Sequence, residues 1–420
     1  MRASLSPYAG PWLEEVHGLA EQIDDIQHTA SILALEDRHT SGAYPKRPLA
    51  IVRGRGAEVW DAEGRVYLDL TSGQGVALLG HSHPAVVEAI ARQAGRLITC
   101  PEIFYNDWRA AMYDALAAHT PPGLDRFFLC NSGAEAIEGA LKLARRITGR
   151  PGFIAIRGGF HGRTLGALSA TWNPKYREGF QPLVPGFSHI PFNDLAGAEA
   201  AIDGTTAAVV VEVIQGEGGV HLAEPEFLSG LRELTRARGA LLILDEIQTG
   251  LGRTGAWFAC QGYDVSPDIL CLGKGIAGGL PMGVFAWRED LGRMPAGSHG
   301  STFGGNPLAC AASCATLATL EKEALPARAD ELGRTLLSDL RAIEHPSIRQ
   351  VRGRGLMVGI ELRRRATPVL KALMGLGVLA LPAGPTVIRL LPPLVTSAEH
   401  LQRGCQALAQ SLEAVEDDSD

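Results

Sequence analysis

Residues 241–281 read LLILDEIQTGLGRTGAWFACQGYDVSPDILCLGKGIAGGLP. Two apolar runs, 241–244 and 269–272, each end at a charged residue. Asp245 follows the first directly, and Lys274 follows the second after one glycine. Consecutive apolar positions suit strands covered on both faces, as in a parallel sheet packed between helices. Both charges therefore stand at the C-terminal ends of strands, where doubly wound sheets hold their ligands. Strand periodicity places Asp245 and Ile247 on one face and Glu246 on the other.

The same pattern continues outward. FFLC (127–130), FIAI (153–156), AAVVVEVI (207–214) and GVFAW (283–287) are further apolar strand runs, alternating with segments of helical spacing. This alternation predicts the α/β class with a largely parallel sheet. AEVWDAEGRVYLDL (57–70) reads as two short strands around a turn at Gly64. Past Asn306 come two helices, the strand-like VGIEL (358–362) and VIRLL (387–391), and a last helix, which suggests a smaller α+β domain. The expected division is an N-terminal segment to residue 75 belonging with the small domain, a large domain over 76–310, a small domain over 311–412 and an acidic tail over 413–420.

Composition narrows the function. The chain has 420 residues, 46% hydrophobic and 20% charged, with a net charge of -7. The last eight residues, EAVEDDSD, hold five negatives, so the body is near -2 (-7 minus -5) and offers no basic field for nucleic acid. No apolar run reaches the length of a membrane span, and Glu14, Glu15, Asp24 and Asp25 stand where a signal peptide would be apolar. Seven cysteines without a CxxC pair are expected to be reduced thiols, which makes a cytoplasmic location the default. No metal site is expected: His81-x-His83 lacks a nearby carboxylate. Glycine, 50 residues, is far above the roughly 7% average and implies tight turns and close backbone approaches.

Lysine is scarce, six against 33 arginines, and Lys274 alone ends an apolar strand beside bare glycine backbone. Partial desolvation there would lower its pKa and make its amine nucleophilic, although a snorkelling stem reads equally well. Asp245 among apolar residues wants a cationic partner such as a protonated heterocyclic nitrogen, or caps the following turn. NSGAEA (131–136) opens a helix; Ser132 and Glu135 match a capping box, and the free N–H groups there also suit a phosphate. Arg163 and Arg389 are candidate clamps for a dicarboxylate, with Glu217 a possible internal partner; structural ion pairs are the alternative. Gly250, Gly252 and Gly255 spell a G-x-G-x-x-G after a strand. The next segment is a poor helix and no acidic residue ends a strand about 20 residues on, so a dinucleotide fold fails its context.

Six motifs in order resemble the class III pyridoxal-phosphate-dependent aminotransferases of fold type I. They are NSGAEA (131–136), FHGRT (160–164), EVIQGEGG (212–219), DEIQTGLGRTG (245–255), the Lys274 segment and HGSTFGGNPLA (299–309). The likeness runs from about His39 to Val395 and implies a mostly parallel, seven-stranded-type sheet in the large domain. By this resemblance Lys274 carries pyridoxal 5'-phosphate and Asp245 pairs with its ring nitrogen, both as catalytic residues. Gly133 and Ala134 would hold the phosphate, with Thr302 reaching it from the other subunit of a homodimer. Phe160 and Ile247 would cover the ring faces and Gln248 would meet the ring hydroxyl. Arg163 and Ser301 match substrate positions. Glu217 would mask Arg389 while an ω-amine binds and release it for the α-carboxylate of glutamate or 2-oxoglutarate.

FHGRT with both arginines fits the acetylornithine, ornithine and 4-aminobutyrate subgroup. TWNPKYREGF (171–180) and LPAGPTVIRLLPPLV (381–395) look most like the lysine-biosynthetic enzymes that act on aminoadipate semialdehyde attached to the small acidic carrier protein LysW. Acetylornithine aminotransferases come next, then 4-aminobutyrate aminotransferases. Mutases and decarboxylases share the fold and reuse the lysine and aspartate; the set Arg163, Glu217 and Arg389 favours transamination over them.

Overall fold

The computed structural model describes residues 28–415. The expectations for residues 1–27 and for most of the acidic tail lie outside them. Strands β1 (Ile51–Arg55), β2 (Glu58–Asp61) and β3 (Val66–Asp69) form an antiparallel meander, with the turn at Gly64. Helices α1 (Pro84–Ala94) and α2 (Asp107–Ala117) lead into the large sheet.

That sheet begins with β4 (Arg126–Cys130), β5 (Gly152–Ile156), β6 (Phe187–Ile190) and β7 (Thr206–Glu212). A short hairpin of β8 (Ile214–Gln215) and β9 (His221–Leu222) follows, and then β10 (Leu241–Asp245), β11 (Ile269–Leu272) and β12 (Gly283–Trp287). The seven strands run in the order β4-β12-β11-β10-β7-β5-β6. All are parallel except β12, which is antiparallel to both neighbours. The apolar runs are strands for the reason given by their pattern: β7, β10, β11 and β12 are buried at every position.

Helix α3 (Gly133–Thr148) crosses one face of this sheet. Its Gly139 lies on Phe285 of β12, where a Cβ would come within 2.2 Å of the ring, so glycine sets the helix-to-sheet distance. Ser132 caps the helix, accepting from the Glu135 amide at 3.2 Å. The return arm differs from a regular capping box: the Glu135 carboxylate accepts from the Asn131 amide at 2.8 Å, one residue earlier than the cap.

Helix α4 (Pro307–Lys322) packs on α1 and α2 and leads to α5 (Leu325–Arg341). Strands β13 (Ile348–Arg354) and β14 (Met357–Leu362), helix α6 (Ala366–Gly375) and strands β15 (Val378–Leu379), β16 (Leu381–Pro382) and β17 (Val387–Leu390) follow. Helix α7 (Ala398–Ala414) ends the described chain. Strands β13-β14-β17-β16 form an antiparallel sheet, while β15 pairs parallel with β3. The N-terminal meander is thus completed by a C-terminal strand.

The G-x-G-x-x-G run has a structural role. Arg253 within it is fully buried and donates to the carbonyls of Leu356 and Pro392 and to Ser72 Oγ at 3.2 Å. Its own carbonyl accepts from the Leu356 amide at 2.9 Å. The loop is a clasp on the C-terminal segment, and a short 3-10 turn (Ala259–Tyr263), not a long helix, follows it.

Candidate active site

Three adjacent parallel strands end together. β7 closes on Glu212, its register partner on β10 is Asp245, and β11 feeds Lys274 through Gly273. Around these ends lies a cavity of about 280 Å³ lined by Gly133, Ala134, Phe160, His161, Gly162, Arg163, Glu212, Glu217, Asp245, Ile247, Gln248 and Lys274. Nine of these twelve are candidate residues named from sequence and the other three lie within the quoted motifs, so the fold gathers segments that are distant in the chain.

Lys274 sits at the start of a single 3-10 turn with φ of 46°, in the left-handed region that costs a side-chain-bearing residue about 1–2 kcal/mol. The next position has room only for glycine: a Cβ at Gly275 would lie 2.2 Å from the Leu78 side chain. Burial lowers the pKa of the Lys274 amine, and the Arg389 charge lowers it further, while Asp245, Glu212 and Glu217 oppose them. The lysine is thereby nearer to a neutral, nucleophilic amine than an exposed one.

Asp245 is buried and held at both oxygens. Oδ1 accepts from the Ile247 amide at 3.1 Å, and Oδ2 lies 2.8 Å from His161 Nδ1. Burial alone would lower the pKa of His161; the hydrogen bond and charge of Asp245 and the charge of Glu212 more than reverse this and raise it. His161 Nε2 is buried without a partner among the described residues. Glu246 points the other way, as strand periodicity requires, and accepts from the amides of Ala259 and Cys260 at 2.6 and 2.8 Å.

Arg389 is buried on β17 and reaches the same cavity wall. Nη2 donates to Glu217 Oε1 at 2.6 Å and Nη1 to Gln248 Oε1 at 3.1 Å. Glu217 is itself partly exposed, so one side of the pair is open to the cavity. Arg163 is exposed and stacks on Tyr176, its guanidinium carbon 3.6 Å from the ring centroid, with Phe160 next to both.

Two expected residues are elsewhere. Ser301 accepts from Asn131 Nδ2 at 3.0 Å and from the Gly304 amide at 2.9 Å, beside the start of α3 but outside the cavity lining. Thr302 is exposed. Three residues were not singled out from sequence: His161, Tyr176 and Glu212. A carboxylate inside the apolar run AAVVVEVI was the available signal for Glu212; the other two gave none beyond their motifs.

The cavity fits a phosphorylated pyridine aldehyde. A Cβ at Gly133 would stand 2.7 Å from Ile247, so bare backbone at the N-terminus of α3 is built to lie against the Ile247 side chain. The first N–H groups of that helix have no partner within it and favour an anion. A buried carboxylate backed by a histidine supplies the place for a pyridinium. A mostly parallel sheet with such an anion cradle, a carboxylate and an amine at its strand ends defines a pyridoxal-phosphate enzyme of fold type I.

The chain belongs to the class III aminotransferases: the family model "Aminotransferase class-III" matches residues 41–412, running past Val395 into the last helix. It is 49% identical over 393 residues to the LysW-aminoadipate semialdehyde transaminase of Deinococcus radiodurans, covering 93% of this chain and 92% of the relative. It is 48% identical to the acetylornithine aminotransferase of Methanopyrus kandleri, covering 90% and 98%. Among solved structures, an ornithine aminotransferase of Toxoplasma gondii with partial PLP occupancy superposes with a TM-score of 0.91 at 36% identity, covering 95% and 98%. The protein is therefore a PLP-dependent aminotransferase.

Proposed function

We propose that the enzyme moves an ω-amino group between an ornithine- or lysine-type substrate and 2-oxoglutarate, the amine being carried on an acidic carrier protein of the LysW kind. The observation that carries this reading is the Arg389–Glu217 pair at 2.6 Å on the cavity wall. A buried arginine that already holds a carboxylate can exchange it for the α-carboxylate of glutamate and take it back when an ω-amine enters. The free acetylornithine substrate is the second reading, supported by the 48% identity to an enzyme of that name.

In this account Gly133 and Ala134 hold the cofactor phosphate, Phe160 and Ile247 cover its ring, Asp245 faces its ring nitrogen and Gln248 its hydroxyl. Bound pyridoxal phosphate supplies the electron sink that acidifies the substrate's C–H bond. Lys274 holds and returns that proton at Nζ, for which its lowered pKa suits it. His161, 2.8 Å from Asp245 Oδ2, keeps that carboxylate fixed in orientation. Arg163 meets the distal carboxylate, and Ser301 contacts substrate through the loop it shares with Thr302. Thr302, exposed on its own chain, serves the phosphate of a second subunit in a cytoplasmic homodimer. The same reading divides the chain into a large domain over 76–310 and a small one over 311–412 joined by the N-terminal segment.

Steady-state rates on LysW-linked lysine, acetylornithine and 4-aminobutyrate, each with 2-oxoglutarate, test the substrate. The carrier-linked amine should give the highest kcat/KM. A preference for 4-aminobutyrate would overturn the reading, and turnover without stoichiometric glutamate would point to a mutase or decarboxylase.

A further inference from the structure

Glu212 ends β7 and is 6% exposed. Its two oxygens serve different parts of the cavity. Oε1 accepts from the Phe160 amide at 2.8 Å, and Oε2 accepts from the Gly216 amide at 3.0 Å. Phe160 opens the loop that presents His161 and Arg163. Gly216 is the residue before Glu217, the partner of Arg389. Both loops also come close elsewhere: Gln215 Nε2 donates to the Arg157 carbonyl at 2.8 Å, and a Cβ at Gly218 would lie 2.4 Å from the Gly158 carbonyl. The loops therefore share one seam, and Glu212 is its carboxylate.

We propose that Glu212 is a positioning residue that sets substrate selectivity, by locking the Phe160–Arg163 loop to the Glu217 turn at one fixed spacing. The inference rests on the reading of Glu217 as a gate for the α-carboxylate. A substrate with a carboxylate at each end spans from Arg163 to Arg389, so that spacing decides which substrates engage both. Buried amides require acceptors. A carboxylate offers an oxygen to each, whereas glutamine would turn an NH2 toward one of them and aspartate would fall short by a methylene. The charges facing Glu212 are His161, Asp245 and Lys274. A purely electrostatic role among them would survive in aspartate, and a role of reach would not.

The test uses holoenzymes of wild type, Glu212→Gln, Glu212→Asp and Glu217→Gln. Single-turnover kcat/KM is measured in the glutamate and acetylornithine half-reactions. Hydrogen exchange of peptides spanning Phe160 and Gly216 is followed in the same holoenzymes. Both Glu212 variants should change the ratio of the two half-reactions by about tenfold, mainly through KM, in the direction that Glu217→Gln changes it. Both peptides should lose protection together, by about tenfold or more.

If Glu217→Gln shifts the ratio and the Glu212 variants do not, the inference is overturned and the gate stands. Aspartate behaving as wild type while glutamine does not would also overturn it, since charge alone would then suffice. If Glu217→Gln leaves the ratio unchanged, the gate reading fails, and exchange decides the lock by itself: loss of protection at only one loop refutes it. Should neither Glu212 variant fold, wild-type exchange still decides. The two amides should match within about threefold, and a separation of about tenfold or more contradicts a shared lock.

Discussion

Arg389 Nη2 and Glu217 Oε1 stand 2.6 Å apart although 172 residues separate them in sequence. The arginine is 2% exposed and the glutamate side chain 30%. This asymmetry matters. A buried guanidinium cannot be left without a negative partner, whereas a half-exposed carboxylate can leave toward solvent at small cost. Of the two, Glu217 is the one that can move.

Lys274→Ala should abolish turnover, because a positioned acid–base group contributes roughly 10²–10⁴ in rate and, in the proposed reading, this lysine also carries the cofactor. The purified variant should lack a borohydride-reducible cofactor adduct and the associated visible absorbance. An adduct surviving reduction would place the attachment on another residue.

Arg253→Met tests the clasp reading of the glycine-rich loop. Burial lowers the Arg253 pKa to about 9, and removing the side chain strands the Leu356 and Pro392 carbonyls. Each unsatisfied buried group costs about 1–3 kcal/mol. The urea midpoint should fall accordingly, and an unchanged midpoint would show that the loop does not hold the C-terminal segment.

Stability should carry the signature of Glu212. Burial raises its pKa to about 7, with the His161 charge opposing and the Asp245 charge reinforcing. Between the ordinary glutamate value of 4.5 and about 7 the folded state binds more protons than the unfolded one. The stability that Glu212 contributes is therefore present below that window and declines as pH rises through it. Glu212→Gln removes this titration. The loss of unfolding free energy between about pH 5 and about pH 8 should shrink by on the order of 1–3 kcal/mol in the variant. An identical pH profile would mean that Glu212 does not titrate in this range.

Much of this was legible in the sequence because burial leaves a local mark. Asp245 and Lys274 interrupt apolar runs at strand ends, Arg389 sits inside one, and glycine flanks Lys274. The direction of β12 left no such mark, since a fully buried strand reads alike in either orientation. Strands β1 and β13 were missed because IVRGR is charged and mostly exposed and IRQVRGR carries three arginines in seven positions with no apolar alternation. His161 was invisible for another reason: its meaning comes from Asp245, 84 residues away. Glu212 showed in its apolar run, but its two hydrogen bonds go to backbone amides, which no residue type encodes.

The proposed sharing of each active site between two subunits predicts complementation. A Lys274→Ala protomer mixed with a Thr302→Ala protomer gives heterodimers in which one site carries both lesions and the other neither. Such mixtures should regain activity that both parents lack, given an impaired Thr302→Ala parent. Verified heterodimers that stay inactive would confine Thr302 to its own subunit's site.

The gate itself is tested most directly by single-turnover spectra of Glu217→Ala in each half-reaction. With Arg389 permanently open, glutamate should react as well as with wild type or better. The ω-amine half-reaction should lose selectivity by about tens to thousands of times, the range for losing one buried charged contact of roughly 2–5 kcal/mol. Equal losses in both half-reactions would contradict the account and make Glu217 a structural anchor.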